Sequence, residues 1–203
     1  MKIKLVAALL LTGASTSFGA AGIFDGFLFT STNGGGLAFY DLGATTGNTD
    51  FQGAALGSFN PASATFTLGG QHKTFKNNGT DVTGSSLFYR VWLTSGGASG
   101  SFTSVNMPFQ LNLVTPGDQQ WGGNVQNANP SLVQSGNVLS GLANGAYTLE
   151  AYSQITTNGV NEATTIANNN SNNNYRATFT VIPEPSAAIL GAVGALILLR
   201  RRR

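Results

Sequence analysis

Apolar and polar side chains alternate with period two along most of this chain, which predicts strands rather than helices. Ser86 to Thr94 shows the pattern most strongly: Leu87, Tyr89, Val91 and Leu93 share one face, and Phe88, Arg90 and Trp92 share the other. Large residues on both faces predict a central strand, with one face in the core and the other partly covered. Ser95 to Gly100 reads as a hairpin loop, and Ser101 to Met107 pairs back. Tyr175 to Ile182 alternates as cleanly, with Tyr175, Ala177, Phe179 and Val181 inward. In Ala64 to Leu68, Phe66 and Leu68 share a face. Gly69-Gly70 then reads as a turn, and Gln71 to Lys76 as a further, polar strand.

Glycine and asparagine punctuate these runs. Gly26 to Ser31 and Leu37 to Leu42 flank Asn33-Gly34-Gly35-Gly36, which predicts two short strands around a glycine-rich turn. Asn77-Asn78-Gly79 signals a tight turn, because Asn-Gly accepts positive φ. Val138 to Leu142 and Asn144-Gly145 lead into a strand from Ala146 to Gln154, with Tyr147, Leu149 and Ala151 on one face. Tyr147, two residues past Gly145, resembles the tyrosine corner of immunoglobulin-like sandwiches; an ordinary core tyrosine is the other reading. Gly43 to Pro61 reads as a loop anchored by Asp50-Phe51 and Phe59, and Asn158 to Asn174 as a long exposed loop. Gln119 to Trp121 is too short to assign alone.

About nine or ten strands, with turns every 8–12 residues or so, predict a single antiparallel β-sandwich, immunoglobulin-like or jelly-roll. Helical character is confined to the two ends. Lys2 and Lys4 precede an apolar run from Leu5 to Leu11, and small residues follow at Ser17, Gly19 and Ala21. That is the layout of a secretory signal peptide, residues 1–21, with cleavage between Gly19 and Ala21. It implies the Sec translocon and a signal peptidase as partners. The sandwich occupies residues 22–182, and residues 183–203 form a separate tail.

The tail has three parts. Pro183 and Pro185 deny the backbone a helix, so the peptide there is extended and accessible. Ser186 can cap an uncharged helix running to Leu199. Arg200, Arg201, Arg202 and Arg203 stop it, and such a cluster stays on the cytoplasmic side of a bacterial inner membrane. The helix is about 21 Å long at roughly 1.5 Å per residue, against a hydrocarbon core of about 30 Å. Such a short span suits a transmembrane signal that is held briefly and then processed.

Pro183-Glu184-Pro185, the apolar helix and Arg200 to Arg203 together resemble the PEP-CTERM sorting signal of Gram-negative bacteria. The resemblance covers the region from Ile182 on. It implies recognition by an exosortase, a membrane protease or transpeptidase acting near Pro-Glu-Pro. It further implies export to the cell surface, often alongside exopolysaccharide, by way of an inner-membrane-anchored intermediate.

Charge changes the picture once the ends are set aside. The whole chain has a net charge of +2. Its body keeps Lys73, Lys76, Arg90 and Arg176 against Asp25, Asp41, Asp50, Asp81, Asp118, Glu150 and Glu162, four cations against seven anions. A body with net negative charge removes the main argument for nucleic-acid binding. The absence of cysteine excludes disulfides, thiol catalysis and thiolate metal sites.

Candidate chemistry in the body is sparse. His72 is the single histidine, and its polar setting beside Lys73 predicts an exposed strand residue rather than a base. No Gly-x-Ser-x-Gly elbow accompanies it. Asn33 to Gly36 lacks the Lys and Ser/Thr of a phosphate loop. Glu150 lies opposite Tyr147 and Leu149 in parity and reads as a solvated-face residue, and no carboxylate pair for glycoside hydrolysis is evident. Asp25, Asp41, Asp50 and Asp118 are candidates for calcium without spacing support. Trp92 and Trp121 are the best candidates for stacking on sugars, with Tyr152 and Phe88 next. The Gly, Gln and Asn around Trp121 predict that it is the more exposed of the two tryptophans. The expectation is therefore a non-enzymatic surface or matrix protein of structural or adhesive role. The alternative is a carbohydrate-binding module for exopolysaccharide.

Overall fold

The computed structural model describes residues 19–43, 45–123 and 133–184. The expected signal peptide lies almost wholly outside these residues. Pro185, the apolar tail helix and Arg200 to Arg203 lie outside them too. Among the described residues no helix is long and apolar enough to cross a membrane.

The described residues of the body are all-β, with twelve strands in two mixed sheets. The strands are β1 (Ala21–Thr32), β2 (Ala38–Asp41), β3 (Thr49–Asp50), β4 (Ala55–Phe59), β5 (Phe66–Lys76) and β6 (Val82–Leu93). After these come β7 (Thr103–Asn106), β8 (Phe109–Asn112), β9 (Gln119–Gly122), β10 (Gly145–Thr157), β11 (Thr165–Asn168) and β12 (Tyr175–Val181). The first sheet runs β3-β2-β1-β5-β9-β8 and the second β4-β12-β10-β6-β7, with β11 beside β10. Most pairs are antiparallel, but β2 with β3 and β4 with β12 are parallel. These two pairings correct the expectation of a purely antiparallel fold.

The sheets share one core, as in a sandwich. Leu28, Phe66 and Leu68 from the first meet Leu87, Leu149, Ala151, Ala177 and Phe179 from the second. Each large apolar side chain so buried stabilises the fold by about 1.5–3 kcal/mol. The inward set foreseen on β12 is buried at all four positions, and so is the set Tyr147, Leu149 and Ala151 on β10. The Tyr147 hydroxyl donates to the Ala143 carbonyl at 2.8 Å, which is the corner geometry. Strand β6 sits between β10 and β7, as its two-faced pattern requires.

Three expectations about the path are corrected. Gly69-Gly70 does not turn the chain; β5 runs through it without a break. A Cβ on Gly69 would stand 2.2 Å from the Phe29 ring, and one on Gly70 would stand 2.5 Å from Met107 Sδ. The glycines are there for close packing, not for a bend. Residues 43–61 hold β3 and β4, although Phe51 and Phe59 are buried anchors as expected. Residues 158–174 contain β11, which pairs with the second half of β10 while β12 pairs with the first half. The asparagine run between them forms a compact turn. Asn170, Asn172 and Asn174 take positive φ there, a conformation asparagine tolerates. By contrast, the turn at Asn78 and Gly79, with φ of 52° and 80°, is as expected.

Candidate functional site

The outer face of the second sheet brings together Arg90, Glu150 and Arg176, three of the body's eleven charged residues. Register sets Glu150 on β10 directly between Arg90 on β6 and Arg176 on β12. Arg90 donates to Glu150 Oε2 through Nη2 at 3.0 Å and Nε at 3.3 Å, and Arg176 Nε lies 3.6 Å away. The Asn174 side-chain amide donates to the other carboxylate oxygen. Glu150 is only 1% exposed. Parity does place it outward, as the sequence indicates, but it is not solvated, because two flanking strands cover it with guanidinium groups.

Aromatic rings surround this group. The Arg90 guanidinium lies 4.5 Å from the Phe102 ring centroid and 5.3 Å from that of Trp92, and Arg176 lies 5.9 Å from Trp92. Such stacking suits the flat, weakly hydrated guanidinium. Phe88 and Tyr152 oppose each other across β6 and β10 and stack at 4.8 Å, with Phe102 edge-on to Tyr152 at 5.0 Å. Burial raises the Tyr152 hydroxyl above the usual tyrosine pKa. Trp92 is buried under the two arginines, whereas Phe88, Phe102 and Tyr152 remain half-buried.

Trp121 is not on a surface. It is 7% exposed, belongs to the core and stands edge-on to Phe109 at 5.4 Å. The polar neighbours that predicted exposure belong to β9, which is held between β5 and β8.

His72 is also a correction. It is fully buried on the inner face of β5, and its ring crosses the interior to the other sheet. Nδ1 lies 2.8 Å from the Ser85 hydroxyl on β6, and Nε2 lies 2.6 Å from the Ser153 hydroxyl on β10. Desolvation lowers its pKa to about 3, so the ring is neutral at physiological pH. One nitrogen therefore donates and the other accepts, and the imidazole ties the two sheets together.

Two of the calcium candidates have local partners. Asp41 accepts from the Thr46 hydroxyl at 2.8 Å and the Asn48 amide at 3.0 Å. Asp25 pairs with Lys73 at 2.9 Å. Among the described residues no three His, Cys, Asp or Glu side chains converge. On the outer face of the first sheet, Phe27, Phe39, Thr46, Asn48, Gln71 and Lys73 line an open groove of about 270 Å³.

At the far end of the body, Val181 is buried and the chain then emerges. The Ile182 N–H donates to the Phe59 carbonyl at 2.9 Å, and Ile182, Pro183 and Glu184 are exposed. In comparison with known proteins, the chain matches no family model and no curated protein sequence.

Proposed function

We propose that this protein is a non-enzymatic structural or adhesive component of the cell surface or extracellular matrix. It is exported by its N-terminal leader and sorted by an exosortase-type enzyme. The observation that carries this reading is the exposure of Pro183 and Glu184 directly after the last strand. A membrane enzyme reading the Pro-Glu-Pro peptide would meet exposed Pro183 and Glu184, joined to the folded body by only one residue, Ile182. Arg200 to Arg203 would hold the tail at the cytoplasmic face while that peptide is read. The body's chemistry supports the same reading. Its histidine is locked between two serines, and its buried glutamate is spent on two arginines.

The test is membrane extraction of the wild type and of a Pro183→Ala, Pro185→Ala variant in a host carrying an exosortase. The wild type should be released at lower mass, and the variant should stay in the inner membrane at the mass of its unsorted form. Equal retention of both at that mass would leave a plain anchor and remove the sorting reading.

A second reading, carbohydrate binding, draws support from the outer face of the second sheet rather than from Trp121. Half-buried Phe88, Phe102 and Tyr152 beside half-exposed Arg176 offer rings and a cation to a sugar bearing a carboxylate. On that reading Arg176→Ala and Tyr152→Ala each weaken retention on an acidic exopolysaccharide column. Unchanged retention in both variants, or no retention of the wild type, would end it.

A further inference from the structure

The first described residues of the chain lie against a carboxylate that has no cationic side chain beside it among the described residues. The Ala20 N–H donates to Glu162 Oε2 at 3.0 Å. A Cβ on Gly19 would come within 2.7 Å of that same oxygen, so Glu162 sits at the Gly19–Ala20 junction itself. Among the described residues, the other carboxylate oxygen takes just the N–H of its neighbour Ala163, at 3.1 Å.

Glu162 is held in place by its loop. Between β10 and β11, the Asn161 side chain donates to the Asn78 carbonyl at 2.9 Å, and the Thr80 hydroxyl donates to the Val160 carbonyl. The Asn158 amide reaches the Gly79 carbonyl at 3.1 Å. The same 77–81 turn grips the start of the chain, because the Asn77 N–H donates to the Ala20 carbonyl at 2.8 Å. Ala20 and Ala21 are both buried, and Ala21 pairs with Lys76 in the ladder.

We infer that the leader is removed at the Gly19–Ala20 bond, and that the α-ammonium so created on Ala20 forms an ion pair with Glu162. This rests on the export reading above and goes further by naming the bond and the group that receives its product. Water is the co-reactant. The bond between the Gly19 carbonyl carbon and the Ala20 nitrogen breaks; Gly19 leaves as a carboxylate and Ala20 as an ammonium. Ser17 and Gly19 supply the small residues a signal peptidase needs three positions and one position before the cut. A cut after Ala21 would also satisfy that spacing, with Gly19 and Ala21. It would delete the Ala20 carbonyl that Asn77 uses and the first pair of the β1–β5 ladder. Cleavage at Ala20 keeps both, and turns an N–H···carboxylate hydrogen bond into a charge-assisted one.

The full-length chain should be expressed in a Gram-negative host, and its exported form examined by intact mass and N-terminal sequencing. The expected N-terminus is Ala20-Ala21-Gly22. A start at Gly22, or at any residue other than Ala20, overturns the inference while leaving export standing. A chain that keeps Met1 and stays in the cytoplasm sinks the export reading and this inference with it. The exported Glu162→Gln variant retains an oxygen that can accept the bond but loses the charge. Its Tm should fall by about 2–4 °C at low salt, with the difference shrinking in high salt. An unchanged Tm overturns the ion pair.

Discussion

His72 and Glu150 show what a polar residue does when two sheets or three strands close over it. The neutral imidazole reaches from β5 across the core to Ser85 and Ser153 on the other sheet, so protonating it removes an acceptor and buries a charge. The unfolded chain takes up that proton near pH 6.5, whereas the folded chain resists until about pH 3. Between those values the unfolded state binds more protons, so this group's contribution makes stability fall as pH falls. The loss should reach the order of 5 kcal/mol by pH 3. Urea unfolding of wild type and His72→Gln at several pH values checks this. The wild type should show the steeper acid decline between pH 6.5 and 3; parallel declines would contradict the role assigned to the ring.

Glu150 works in the opposite sense, since its charge is what two arginines require. Glu150→Gln leaves Arg90 facing Arg176 with no anion between them. A loss of about 2–3 kcal/mol in chemical denaturation is expected. A loss below about 0.5 kcal/mol would show the cluster to be no stronger than an ordinary surface pair.

At the scale of the element, alternation made β6, β10 and β12 legible, because apolar residues recur at alternate positions in each, as at Tyr147, Leu149 and Ala151 or Tyr175, Ala177, Phe179 and Val181. Strand β5 was not, and the reason is specific. Two adjacent glycines look like a turn, and reading them so breaks the count of faces. Counted straight through, Phe66, Leu68, Gly70, His72 and Thr74 share one face, and His72 falls on the core side with Phe66 and Leu68. The signal for the buried histidine was thus present but was masked by the glycines. Trp121 and Glu150 were less accessible. Their burial depends on which strands flank them, β5 and β8 in one case and β6 and β12 in the other, and a single sequence does not record that. The parallel strand β4 left no trace either, as Ala55–Phe59 is short and interrupted by Gly57.

The continuity of β5 can be tested directly. Gly69→Ala drives a methyl group into the Phe29 ring and within 2.8 Å of the Val133 carbonyl, so it should cost about 1–3 kcal/mol. Gly96→Ala, where nothing lies within 4 Å, should leave stability within about 0.5 kcal/mol. Thermal unfolding of the two variants should separate them clearly; equal Tm values would mean that β5 does not pass Phe29 as described.

For the whole molecule, the two ends and the body make one account. A sheet-built body, with His72 held by two serines and Glu150 by two arginines, begins at Ala20 and Ala21 and ends at Val181. Pro183 and Glu184 then stand exposed immediately beyond it. Surface delivery with trimming at both ends is the reading that joins these features. The most direct measurement is the intact mass of the wild-type protein recovered from cells that carry an exosortase. The account predicts a released form lacking the leader and ending near Pro183-Glu184-Pro185. Recovery of the chain in the cytoplasm, with Met1 and Arg203 both present, would contradict it.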